Sequence, residues 1–268
     1  MAVALVTGSS RGIGKGAALQ LAKQGFDVAL AARTVEEGEG RDDGDFHAGR
    51  PIEGSIRQTA KEVEALGVKA LPVRLDLTDP ETVDSCVDTV VGEWGRLDVL
   101  VNNATLHTGS NTRIDALSRD LIELFARATF VGPLMLCQRA LRVMDPQGGG
   151  RIINVSSSAG GADPELPPGE GGWGVLYGMV KAAQVRIAGL IRVEYPDKNI
   201  YCFSLCPGWV KTQVIAKMPV FEDAAEGNGP EAAGSVIAWL ASSPEAPKYA
   251  WQFFRAPEFA AEHNIVPA

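Results

Sequence analysis

Short apolar runs alternate with segments of helical spacing from one end of this chain to the other, and that alternation admits few architectures. Strand-like runs fall at residues 2–7, 27–32, 70–75, 97–102, 151–156, 200–205 and 250–254. Helical periodicity falls between them, at 12–25, 55–66, 80–94, 117–144, 175–195 and 230–241. Strands joined through helices need right-handed crossovers, which makes them parallel and covers both faces of the sheet. The expectation is an α/β fold, a doubly wound parallel sheet of about seven strands in one domain over residues 1–268. Two insertions interrupt the rhythm. Residues 34–54 are rich in Gly, Asp, Glu and Arg, and residues 160–174 in Gly and Pro. The first reads equally as a lid or a tolerated surface loop, whereas the second leads directly into a candidate catalytic helix.

Composition narrows the class. A net charge of −8 with a pI near 5.0 argues against nucleic acid, whose phosphates need clustered Lys and Arg. The uncharged run 128–138 falls short of the roughly 20 residues that a membrane helix requires, so no membrane span is expected. The N-terminus carries no basic segment and reads as a buried strand, and a cytoplasmic location is expected. Cys86, Cys137, Cys202 and Cys206 are scattered, as are His47, His107 and His263, so reduced core thiols and no metal site are expected.

The first strand runs into Thr7-Gly8-Ser9-Ser10-Arg11-Gly12-Ile13-Gly14, which opens a helix. Glycines there let the backbone turn tightly and approach a pyrophosphate at the helix start. Its spacing differs from the Gly-x-Gly-x-x-Gly dinucleotide fingerprint. The second strand ends Ala31-Ala32-Arg33, without the acid that accepts a ribose 2′-hydroxyl. Arg33 and Arg11 converging on a 2′-phosphate would favour NADP over NAD; the alternative pairs Arg33 with Glu36 or Glu37 on the surface.

Tyr177 and Lys181 stand four apart in a helical segment and therefore share a face. A fixed ammonium beside a phenol favours the phenolate and so makes the tyrosine a usable acid/base.

Together these motifs resemble the short-chain dehydrogenase/reductase family across residues 3–212, a family of NAD(P)-binding Rossmann-fold enzymes. Thr7-Gly8, Gly12, Ile13 and Gly14 match its cofactor turn, Asp76-Leu77 its adenine contact, and Asn102-Asn103-Ala104 its Asn-Asn-Ala-Gly stretch. Ser157 falls on the catalytic serine, Tyr177 and Lys181 on the catalytic pair, and Pro207-Gly208-Trp209-Val210-Lys211-Thr212 on the Pro-Gly loop that holds the nicotinamide. Gly8, Ser10, Arg11, Gly12, Ile13, Gly14, Arg33, Asp76, Leu77, Asn103, Tyr177, Lys181, Pro207, Gly208, Val210 and Thr212 are accordingly the expected cofactor residues. The resemblance implies that Ser157 polarises a substrate carbonyl, Tyr177 delivers the proton, and Lys181 lowers the tyrosine and binds the ribose. It also implies a homodimer or homotetramer acting on a small-molecule carbonyl or alcohol. Ser156 and Ser158 rival Ser157 for the serine role.

Three departures stand out. Thr105 replaces the family's glycine; Thr129 stands where a relay asparagine is usual, with Asn111 too early to substitute; and 19 residues separate Ser157 from Tyr177. The surplus, with Pro164, Pro167, Pro168 and Trp173, is expected to shape the substrate pocket. Trp209 and Met218, Pro219 and Phe221 are softer pocket candidates, and His107 reads as a surface histidine. Two further readings stay open: a non-catalytic dinucleotide sensor, and dehydratase or epimerase chemistry on the same scaffold.

Overall fold

A computed structural model of the chain describes residues 1–45, 47–213 and 227–267. Seven strands form one all-parallel sheet: β1 (Val3–Thr7), β2 (Asp27–Ala32), β3 (Ala70–Arg74), β4 (Val99–Asn102), β5 (Gly150–Val155), β6 (Ile200–Cys206) and β7 (Phe253–Arg255), in the order β3-β2-β1-β4-β5-β6-β7. Every residue of β1, β2 and β4 is buried, which is why these strands read as continuous apolar runs instead of alternating ones. The strand order reverses beside β1, where β1 pairs with both β2 and β4, and the carboxyl ends of those strands open a crevice. The expected doubly wound α/β fold is the observed one.

Helices cover both faces. On one lie α1 (Gly12–Lys23), α2 (Ile56–Glu64), α7 (Pro230–Ser242) and α8 (Ala256–His263); on the other lie α3 (Pro80–Trp94), α4 (Arg119–Ala126), α5 (Gly132–Gln147) and α6 (Val175–Glu194). Local chemistry sets their ends. Ser55 caps α2 by accepting from the Gln58 N–H, and Asp79 caps α3 ahead of Pro80, with left-handed Gly95 closing it. Two apolar clusters fill the layers, one led by Phe125, Leu136 and Ile152, the other by Leu21, Leu30 and Phe203. Burying such side chains contributes roughly 1.5–3 kcal/mol each. All four cysteines are buried and free, as expected.

Two element assignments need correction. The helix expected at 117–144 runs without a gap from Arg119 to Gln147, but a π turn (Arg127–Val131) interrupts its regular geometry between α4 and α5. Pro133 is the physical cause within reach: it has no N–H for the carbonyl of Thr129, four residues back, so regular α geometry cannot run through it. The last strand begins at Phe253, and the residues that follow form α8, which the sequence pattern did not separate from strand closure. Among the described residues no helix is long and apolar enough to cross a membrane.

Candidate active site

The crevice is a cleft of about 530 Å³ along the carboxyl ends of the strands. Its floor begins at the glycine turn. Gly8 and Gly12 hold φ of 69° and 54°, a backbone that side chains disfavour, and a Cβ on Gly14 would collide with the Gly8 carbonyl. α1 therefore starts hard against the turn. No side chain caps that helix start, and Gly12 and Ile13 of its first turn line the cleft, a setting suited to an anion. Thr7 and Asn103 lock the turn: the Thr7 hydroxyl accepts from the N–H groups of Asn103 and Ala104, each at 3.0 Å, and the Asn103 amide donates to the Thr7 carbonyl at 2.9 Å. Asn103 thus lines the cleft, but its amide is committed to backbone.

Every expected cofactor residue except Gly14 lines this cleft, and Gly14 sits directly beneath it. The Asp76 carboxylate accepts from the N–H and hydroxyl of Thr78, at 2.9 and 2.7 Å, fixing the turn after β3. Gly208 has φ of 73°, and Thr212 abuts Gly12, so the Pro-Gly loop closes the far end of the glycine turn.

The catalytic candidates converge at the other end of the cleft. β5 delivers the serine stretch and α6 delivers Tyr177 and Lys181. Of the three serines, Ser157 is the one that acts on the Tyr177 phenol, favouring its ionised form, whereas the Ser156 hydroxyl donates to the Lys181 carbonyl at 3.0 Å and is structural. The Lys181 ammonium lies 5.7 Å from the centre of the Tyr177 ring and is only 3 % exposed. Burial pushes that ammonium down to about 8. Burial also holds the Tyr177 phenol above its ordinary value, with the Ser157 hydrogen bond offsetting part of the rise. The expected lowering of the phenol is therefore outweighed here: desolvation is the larger effect.

Two other expectations change. His107 is no surface histidine; it lines the cleft, and burial lowers its pKa so that it stays neutral. The Thr129 hydroxyl cannot serve as a relay group, because it is buried and donates back to the Phe125 carbonyl in its own helix.

A sequence model of the short chain dehydrogenase family matches residues 2–42 and 48–222. The chain belongs to that family. Cyclohexanol dehydrogenase of Rhodococcus sp. (strain TK6) is 32% identical over 221 residues, covering 80% of this chain and 76% of that one. Dehydrogenase/reductase SDR family member 1 of Mus musculus is 30% identical over 263 residues, covering 90% and 75%. Among solved structures, acetoin dehydrogenase from Salmonella typhimurium superposes with a TM-score of 0.75 at 28% identity over 95% of both chains. A short chain dehydrogenase from Burkholderia cenocepacia J2315, solved in complex with NADP, gives 0.76 at 25% identity over 94% of both.

In this short-chain dehydrogenase the insertion at 34–54, readable from sequence as either a lid or a surface loop, lies against the site. It crosses the cleft. At its far end Arg11 donates to the carbonyls of Glu53 and Gly54, each at 2.7 Å, and to the Thr34 hydroxyl at 3.2 Å. In its middle the Asp45 carboxylate accepts from the N–H groups of Gly109 and Asn111, and the Asp43 carbonyl accepts from the Thr108 hydroxyl. Arg33, expected free or paired with Glu36 or Glu37, instead pairs with Asp43 at 2.6 Å, and Glu36 pairs with Arg57. Asp42 and Asp43 thereby bring carboxylates into the cleft beside both arginines. No local sequence pattern points to that placement.

The second insertion contributes less than expected. Gly171, Gly172 and Trp173 line the cleft, and the Gly174 N–H donates to the Ser110 carbonyl at 2.7 Å, while Pro164 and Pro167 face solvent. Trp209 lines the cleft as well; Met218, Pro219 and Phe221 lie outside the described residues. Cys206 and Arg255 also line it and were missed.

Proposed function

We propose that this short-chain dehydrogenase is an NADP(H)-dependent oxidoreductase that interconverts a small-molecule carbonyl and an alcohol. The observation that carries the reading is the convergence of Ser157, Tyr177 and Lys181 at one end of a cleft whose other end is an uncapped helix start behind a glycine turn. The residues present fit a dinucleotide. A Cβ at Gly8 would meet Ala104 backbone at 2.9 Å, so only glycine lets the turn pack this close to the end of β4, and Gly8, Gly12 and Ile13 line the cleft with Arg11 and Arg33 beside them.

When bound, the cofactor supplies the hydride. The chain supplies orientation and the proton. Ser157 and Tyr177 together hold the substrate oxygen, and Tyr177 gives its proton as negative charge develops there. A phenol kept protonated by burial is suited to that delivery, and the Lys181 ammonium stabilises the phenolate that remains. Asp76, Leu77, Asn103, Pro207, Gly208, Val210 and Thr212 form the rest of the cofactor wall in this reading. Gly171, Gly172, Trp173 and Trp209 border the substrate end.

The activities for which those relatives are named, on cyclohexanol and acetoin, support simple ketones and secondary alcohols as the first compounds to try. Exposed Phe130, Leu134, Leu190 and Val193 on the π turn, α5 and α6 support a homodimer or homotetramer. The experiment is a panel of ketones with NADPH, repeated with Tyr177→Phe. The variant should bind NADPH as the wild type does and lose about 10²-fold or more in kcat. NADPH binding by the wild type without turnover of any carbonyl would favour a sensor instead, and product without net NADPH consumption would favour dehydratase or epimerase chemistry.

A further inference from the structure

A lysine ammonium that is 3 % exposed needs fixed acceptors, and Lys181 has two. The Val155 carbonyl at the end of β5 lies 3.1 Å from Nζ, and the side-chain oxygen of Gln184 lies 3.1 Å from it. Gln184 stands almost one turn beyond Lys181 on α6 and is 2 % exposed. The main-chain carbonyl of Gln184 accepts from the Ser204 hydroxyl on β6 at 3.3 Å, and its side-chain Nε2 donates to the Thr129 carbonyl at 3.3 Å. The amide is thus used at both ends and held in one orientation.

Thr129 belongs to the π turn ahead of Pro133, which has no N–H to offer the Thr129 carbonyl. The side chain at 129 is turned away, onto Phe125. The π turn therefore meets the lysine through a backbone oxygen and the Gln184 amide, and not through the Thr129 side chain.

We propose that Gln184 is the positioning residue of the Tyr177–Lys181 pair, its amide bridging the Lys181 ammonium to the Thr129 carbonyl and so fixing the cation against the phenol. This rests on the oxidoreductase reading of the same site. Two of the three ammonium donors are taken by Val155 and Gln184, which leaves one for the cleft that Lys181 lines. The titratable groups facing Lys181 are the Tyr177 phenol on its own helix, the Cys206 thiol at the end of β6, and neutral His107 from the segment after β4. Val155 and Gln184 supply the cation with neutral acceptors, so removing one amide changes how easily the charge is kept. Hydrogen bonding to a charged form favours that form, and its loss drives a buried ammonium further down.

The test compares wild type with Gln184→Met, which keeps length without the amide, and Gln184→Glu, which keeps the acceptor and adds charge. Competitive acetylation with trace acetic anhydride, read at the Lys181 peptide across pH, reports the ammonium without turnover. Gln184→Met should lower it by about one unit and Gln184→Glu should raise it above wild type. In turnover, the alkaline limb of carbonyl reduction should move down with Gln184→Met and up with Gln184→Glu. The Gln184→Met kcat should fall about tenfold with substrate KM within about threefold. An unchanged Lys181 titration in both variants, with only a lower melting temperature, overturns the proposal; should Gln184→Met fail to fold, an unmoved Gln184→Glu titration overturns it alone. A wild type that reduces no carbonyl while the Lys181 titration shifts as described removes the oxidoreductase reading and leaves the positioning role standing.

Discussion

The proposed NADP preference turns on whether Arg33 leaves Asp43 for a 2′-phosphate, and two substitutions separate the outcomes. The two groups meet at 2.6 Å, with side-chain exposures of 46% and 19%, so solvent screens the pair and it contributes about 0–1 kcal/mol. A 2′-phosphate brings nearly two negative charges and several acceptor oxygens. Hydrogen bonds from arginine to such a group are worth about 1.5–3 kcal/mol, which exceeds the cost of breaking the ion pair. Arg33 should therefore leave Asp43 for the phosphate. Arg33→Ala should weaken NADPH binding about ten- to a hundredfold, with NADH within about threefold. Asp43→Asn removes both the competitor and a repelling charge, and should tighten NADPH by about two- to fivefold. Both are read by fluorescence titration of the purified protein with each nucleotide near 0.15 M salt, and repeated at 1 M, where the differences should shrink. Arg33→Ala with unchanged NADPH affinity would refute the reasoning. So would a loss of NADH affinity in Asp43→Asn, because that carboxylate would then be accepting a ribose 2′-hydroxyl.

Two further outcomes follow from the same geometry. Because Lys181 falls from 10.5 to about 8 on burial, the unfolded chain holds that proton through a window in which the folded site has released it. Stability should therefore rise with pH between those values, by at most about 3 kcal/mol relative to Lys181→Met. Urea unfolding of both proteins at pH 8 and 10 measures it, and a flat difference would contradict the assigned burial effect. Deleting residues 164–171 removes solvent-facing prolines and the Gly171 that borders the substrate end, and should raise substrate KM about three- to tenfold while leaving the NADPH dissociation constant unchanged; unchanged kinetics on a good substrate would show the loop to be a passive surface insertion.

Motifs whose chemistry is local were legible in the chain itself. The buried strands were readable because apolar runs have no other stable place, and the glycine turn because only glycine takes its backbone angles and allows α1 so close. Tyr177 and Lys181 were legible as a pair because helical spacing sets neighbours four apart. Gln184 had a weaker signal, a polar residue three beyond Lys181 in line with the same face, and nothing in the chain says what it touches.

What crosses between elements needed the folded molecule. The choice of Ser157 over Ser156 depends on which hydroxyl acts on the phenol of a neighbouring helix, and their adjacent places just after β5 cannot tell. The sign of the Tyr177 shift depends on desolvation, which comes from everything packed around the ring and not from Lys181 four residues away. The insertion at 34–54 reads in sequence as a polar loop. Its crossing of the cleft rests on hydrogen bonds that Asp45 accepts from backbone N–H groups more than 60 residues further along the chain. Sequence alone determined the sheet, the turn and the pair that the chemistry needs, because each follows from backbone geometry over a few residues. Tertiary structure decided the phenol's protonation, the partner of Arg33 and the amide behind Lys181, because each is settled by which distant groups share a small volume shielded from water.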